Sequence, residues 1–259
     1  LMIWLPANRN YALDKYLFQF KEESIPRWCV LVPRLQLGIV YFFAGIAKLK
    51  YDWLILGQPL KIWLHARGEL PLIGPILALP IMPSLFSWGG MLYDLSIAFF
   101  LSYRRTRPFA YFAVIVFHVL TFVLFYIGMF PWIMMVATLI FFEWEDWKRL
   151  FPRLSVPASD PVYTFQPRIH YLLIPYFVLQ ILLPVRHFLY RGFVLENEKG
   201  IRFAWHVMVM EKTGYVEYEM TDETTGRSWK AFPSAHLTRA QEKQMSHQED
   251  MILQYGQFL

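Results

Sequence analysis

Apolar stretches of membrane length set the first limit on what this chain can fold into. They run at about 29–47, 85–101, 109–127 and 170–189, each near the ~20 residues that a bilayer helix needs, with a shorter one at 132–142. Inside a bilayer every backbone N–H and C=O has to be satisfied within the protein, so such segments are helices. Composition agrees. Of 259 residues, 56% are hydrophobic and only 17% charged, against roughly 25% charged in ordinary soluble domains. The chain therefore reads as a mainly α-helical polytopic membrane protein.

The spans differ in quality. Arg34 falls early in the first, which predicts that the span starts just after it. Residues 51–69 read as an amphipathic loop carrying Trp53, Trp63, His65 and Arg67. The stretch 70–83 is apolar but holds Pro71, Pro75, Pro80 and Pro83. That is too many prolines for one clean helix, so short helical pieces or a re-entrant segment are expected there. Beyond Gly192 the periodicity changes. Residues 203–210 and 215–220 read as strands, with turns at 211–214 and 222–227, then a charged helix from about Thr238 to the end. The expected layout is a membrane domain over 1–192, N-terminally truncated, and a small antiparallel β-module with a charged helix over 193–259. The opening Leu1-Met2-Ile3-Trp4-Leu5-Pro6 reads as the end of a further apolar segment.

Charge sets the expected orientation. The loop Arg104–Arg107 and the polar stretch 143–168 are both basic, which assigns them to the cytoplasmic side and the β-module to the extracytoplasmic, periplasmic or lumenal, side. The net charge of +5 sits beside apolar segments, where that rule and membrane lipid account for it without nucleic acid. The single cysteine, Cys29, excludes an internal disulfide.

Chemistry has to come from ionisable groups in apolar surroundings, which are functional by default because burying them is costly. Lys48 closes the run Tyr41-Phe42-Phe43-Ala44-Gly45-Ile46-Ala47. It is either an interfacial anchor, the commoner use, or a lysine stripped of solvent that serves as a base near neutral pH. Lys50 lies nearer water and looks like the anchor. Asp94 lies mid-span after Gly89-Gly90, as a counter-charge or as a packing hydrogen bond. His118 lies mid-span with Thr121 on the same face, where a lone histidine is more often a packing residue. The seven histidines include no pair at i, i+3 or i+4, which argues against a helical metal site. Gly-rich phosphate loops and nucleophile elbows are missing as well.

Several stretches taken in order resemble the vitamin K-dependent γ-glutamyl carboxylase family, whose membrane portion is shared with bacterial homologues. They are Ala7-Asn8 with Leu13-Asp14, Val40 to Leu49 with its Ala-Gly-x-x-Lys-Leu run, Asp52-Trp53, Gly89-Gly90 with Asp94-Leu95-Ser96, and Phe117-His118. Phe125 to Phe130, Leu182 to Leu189, and Trp205 with Met208-Val209 complete the set. The resemblance implies that Lys48 deprotonates vitamin K hydroquinone. Oxygen then turns its anion into a base that removes a γ-proton from a protein or peptide glutamate. Carbon dioxide adds to the carbanion, the quinone leaves as its epoxide, and no metal takes part. It also implies that Asn8, Arg9, His118, Met129 and Phe130 contact the quinone, that Asp94 supports the base, and that Trp205 and Met208 contact the glutamate substrate.

The chain departs from the animal enzymes of that family at three positions. Arg9 stands where they have a histidine, and a guanidinium cannot accept a proton. Ile201 and Met210 stand where they have a tyrosine and a histidine around the tryptophan. Quinone deprotonation is thus better supported than peptide carboxylation, and a quinone epoxidase without carboxylation is the alternative. Two rivals remain. One is a non-catalytic quinone- or lipid-binding membrane module with Lys48 as an anchor; the other is a transporter using Asp94 and His118 as a proton relay.

Overall fold

The computed structural model describes residues 26–125, 127–143, 145–147, 167–210, 212 and 214–259. Four helices are long and apolar enough to cross a membrane: α1 (Trp28–Ala47), α5 (Met82–Ser102), α6 (Arg107–Leu124) and α8 (Pro167–Val185, continued as a 3-10 turn at Arg186–Leu189). Between them run α2 (Tyr51–Leu54), α3 (Leu60–His65) and α4 (Gly74–Leu77), all short. The apolar α7 (Phe130–Ala137) passes into a 3-10 turn at Thr138–Phe141. The proline-rich stretch is indeed broken, contributing turns and α4 in place of a spanning helix.

The chain divides into two compact units, Leu1–Val209 and Met210–Leu259. In the first, α1 lies along α5 so closely that a Cβ added to Gly45 would come within 2.7 Å of the Leu95 side chain. One core cluster joins Tyr41, Ile97, Leu101, Val114, Met134 and Phe141 across α1, α5, α6 and α7. A second joins Ala47, Trp53, Leu60, Leu64, Leu77 and Leu124 near the opposite end of α1, with Val209 packed into it. The second unit holds the two-stranded antiparallel sheet, β1 (Tyr218–Thr221) with β2 (Ser228–Ala231), register Tyr218 to Ala231. It ends in α9 (Arg239–Met245) and α10 (Glu249–Phe258), and a capping box between Thr238 and Gln241 starts α9.

Three expectations are corrected. Helix α1 begins at Trp28, and Arg34 lies within it. The helix carries that charge because its Nε donates to the Ile140 carbonyl at 2.8 Å and its guanidinium stands 3.6 Å from Glu143. Arg107 pairs with Glu143 and Asp146, and Arg104 with Asp146, so the basic α5–α6 loop and the start of the next polar loop share one end of the bundle. Residues 203–210 are not a strand: the segment is a chain of turns in which Phe203, Trp205 and Met208 all have positive φ. Such backbone is rare for bulky side chains and incompatible with a strand. Finally, Lys50 does not reach water, because its Nζ is shielded from solvent.

Candidate active site

Helix α1 ends at Ala47, and the Lys48 and Leu49 N–H groups close the last turn on the Gly45 and Ile46 carbonyls respectively. Tyr41, Ala44 and Lys48 fall at i, i+3 and i+7, one face of the helix, and that face looks onto α5. Lys48 is buried, and its Nζ donates to Asp94 Oδ2 at 2.7 Å. Two longer contacts run to the Ala44 carbonyl at 3.3 Å and the Val207 carbonyl at 3.5 Å. The ammonium also stands 5.6 Å from the centroid of the Trp53 ring. That ring is held in place because Trp53 Nε1 donates to the Ser87 carbonyl at 3.0 Å while the Ser87 hydroxyl donates to the Trp53 carbonyl.

Lys48 and Asp94 border a cavity of about 340 Å³, at the small end of the ~300–1,000 Å³ usual for ligand sites. Its walls are apolar and aromatic, including Trp53, Trp63, Phe86, Phe117, Phe125 and Phe130. Gly89 and Gly90 line it one turn before Asp94, and a Cβ on either would meet nothing within 4 Å, so their bare backbone leaves that side open. Two turns before Lys48 on the same face of α1, the Tyr41 hydroxyl shares a hydrogen bond of 3.1 Å with His118 Nε2. His118 Nδ1 is buried and without a partner among the described residues. Aromatic edges from Tyr93, Phe117 and Phe130 fix the imidazole plane.

Of the residues singled out from the sequence, Lys48, Asp94, His118, Phe130 and Met208 line this one cavity. Met129 precedes α7 and is 70% exposed, away from it. Trp205 lies in the turn segment that brings Val207 and Met208 to the wall, without lining the cavity itself. Asn8 and Arg9 fall outside the described residues. Tyr41, Trp53 and the Val207 carbonyl had not been singled out for the site. Tyr41 was legible, as a polar atom two turns before Lys48 on the same face, whereas a backbone carbonyl leaves no mark in a sequence. Among the described residues, no group of His, Cys, Asp and Glu side chains is placed to hold a metal.

A carbon-acid chemistry that needs a proton acceptor away from water could use this arrangement: a buried amine, a carboxylate to share its proton, and flat apolar walls. Residues 1–147 match the HTTM domain family. Residues 165–259 match the lumenal domain of vitamin K-dependent gamma-carboxylase. No solved structure matches the chain. The first match takes in α1 to α7 and every helix that lines the cavity, the second takes in the Val207–Met208 wall and the sheet, and together they show that the chain belongs to the vitamin K-dependent gamma-glutamyl carboxylase family.

Proposed function

We propose that this integral membrane protein is a vitamin K-dependent carboxylase in which Lys48 takes the proton from the reduced quinone. The observation that carries the reading is the Lys48–Asp94 pair, dry, and opening on an aromatic cavity. The cavity suits a quinol: its walls can sandwich a flat ring system, and the orphaned His118 Nδ1 is a polar atom waiting for a partner. When bound, reduced vitamin K supplies, together with oxygen, a base strong enough to remove a glutamate γ-proton, carbon dioxide adding to the carbanion as the epoxide leaves.

The chain's own part is to hold and move protons at fixed atoms. Lys48 Nζ passes a proton to Asp94 Oδ2 across their 2.7 Å hydrogen bond, which frees the amine's lone pair to accept a hydroxyl proton. With the Tyr41 hydroxyl donating to Nε2, the His118 ring carries its proton on Nδ1 and directs it at the oxygen left behind. Phe117, Phe125 and Phe130 keep water from that oxygen. On the family resemblance, Asn8 and Arg9 are assigned to the quinone, and Trp205 and Met208 to the glutamate side chain of a protein or peptide; Met129, exposed and off the cavity, is not. The cytoplasmic side of the basic loops and the extracytoplasmic side of the sheet follow from the arginine count.

The test supplies the purified protein with reduced vitamin K, oxygen, labelled carbon dioxide and a glutamate peptide, following epoxide and peptide-bound label separately. Both products are expected, and both vanish in Lys48→Ala. Epoxide without label would identify a quinone epoxidase. Neither product from folded protein would overturn the enzyme reading and leave a quinone- or lipid-binding module.

A further inference from the structure

Beyond the cavity, Lys50, His187 and His206 make a second group of polar side chains that the mechanism does not use. Lys50 Nζ is shielded from solvent and has no hydrogen-bond partner among the described residues. The Phe193 ring lies 5.6 Å from it, and Asp52 acts on it only from beyond ion-pair distance. Both ring nitrogens of His206 are equally buried and unpartnered. The Ala204 backbone, which favours the protonated ring, lies outside hydrogen-bond geometry. The His206 ring meets His187 edge to face at 5.0 Å. His187 Nδ1 donates to the Pro184 carbonyl at 2.8 Å, which leaves its Nε2 as an acceptor when the ring is neutral.

Burial, then the positive charges of Lys50 and His187, hold His206 down to about 4, and burial holds Lys50 below the usual lysine range. Native proteins rarely leave such groups unmatched. What would match the Lys50 ammonium and the N–H of the His206 ring at once is a group that accepts hydrogen bonds and carries negative charge, and a carboxylate is that group. The location matters as much as the chemistry. His206 precedes Val207, whose carbonyl contacts Lys48 Nζ, and Arg186 pins the same segment through the Gly200 and Arg202 carbonyls at 3.4 and 2.9 Å.

We propose that Lys50 and His206 form a carboxylate subsite beside the cavity, holding the acidic group of the second substrate next to Lys48. The proposal rests on the reading of Lys48 given above, and the carboxylate belongs either to a glutamate side chain or to bicarbonate. Binding to the full chain in detergent is measured with a short peptide containing one glutamate, with its glutamine counterpart, and with sodium bicarbonate as competitor. The glutamate peptide is expected to bind roughly tenfold or more tightly than the glutamine peptide. Lys50→Met and His206→Phe remove that preference, and Lys50→Arg restores it. Displacement by bicarbonate makes the subsite one for small carboxylates in general; lack of displacement makes it one for the peptide side chain, and either keeps the proposal. An unchanged preference in both Lys50→Met and His206→Phe overturns it. Binding of reduced vitamin K, followed separately, shows that each variant is folded. Its absence in the unsubstituted protein would count against the quinone reading alone, because the peptide comparison needs no quinone.

Discussion

Removing one partner of the Lys48–Asp94 pair should cost far more than removing both. In Asp94→Leu the ammonium, 5% exposed, keeps only the 3.3 and 3.5 Å carbonyl contacts and the face of Trp53. In Lys48→Met the carboxylate, also 5% exposed, loses its single hydrogen bond among the described residues. Breaking a buried pair in this way costs about 3–5 kcal/mol, whereas replacing it by apolar side chains is often neutral or stabilising by about 1–4 kcal/mol. The space beside Gly90 leaves room for the leucine. Each single variant is therefore expected to lose about 3–5 kcal/mol, and the double variant to fall within about 2 kcal/mol of the unsubstituted protein. Equilibrium unfolding in a mild detergent, titrated with a denaturing one, closes the double-mutant cycle. Single losses under about 1 kcal/mol, or losses that add to within ~0.5 kcal/mol in the double variant, would refute a buried, coupled pair.

Two further outcomes follow from other parts of the first unit. Gly45→Val drives a side chain into Leu95 and should destabilise by about 1–3 kcal/mol, while Gly38→Ala, whose Cβ meets Ala98 at an ordinary 3.8 Å, should be neutral or stabilising; equal melting shifts for the two would contradict the α1–α5 packing. At the other end, burial pushes Asp146 up, but the Glu143 N–H and the Arg107 and Arg104 guanidinium groups outweigh it and hold it below its ordinary 3.8. A carboxyl lowered by folding contributes stability that is present above its unfolded value and lost as pH falls through the folded one. Unfolding followed from pH 6 down to pH 3 should therefore show a shallower acid loss in Asp146→Asn than in the unsubstituted protein, and identical slopes would remove Asp146 from the account.

The spans were legible because apolar runs near twenty residues have one solution in lipid, and the helix limits differ from expectation by only a few residues. Arg34 misled because its compensation comes from Ile140 and Glu143, more than a hundred residues away. The segment 203–210 misled for the opposite reason: its run of aromatic and β-branched residues suits a strand, yet left-handed backbone at three bulky residues is imposed by packing that no local pattern encodes. At the site, Lys48, Asp94 and His118 were each visible as ionisable groups in apolar runs. What could not be read was their relation: that Asp94 rather than water takes the Lys48 hydrogen bond, and that Tyr41 rather than Thr121 engages the imidazole.

Helix α1 also works as a ruler. Fourteen residues separate Arg34, tied to the charged end of the bundle, from Lys48, a distance of about 21 Å at the helical rise. A hydrocarbon slab is about 30 Å thick. With Arg34 at one face, the amine lies roughly two-thirds of the way across, still below the opposite surface and roofed by the turns around Val207. A lipid-soluble molecule can reach it sideways without leaving the bilayer, whereas anything charged has to come down from water on the roofed side. On the function proposed above, two reactants that never share a solvent would thereby be brought to one nitrogen from two phases.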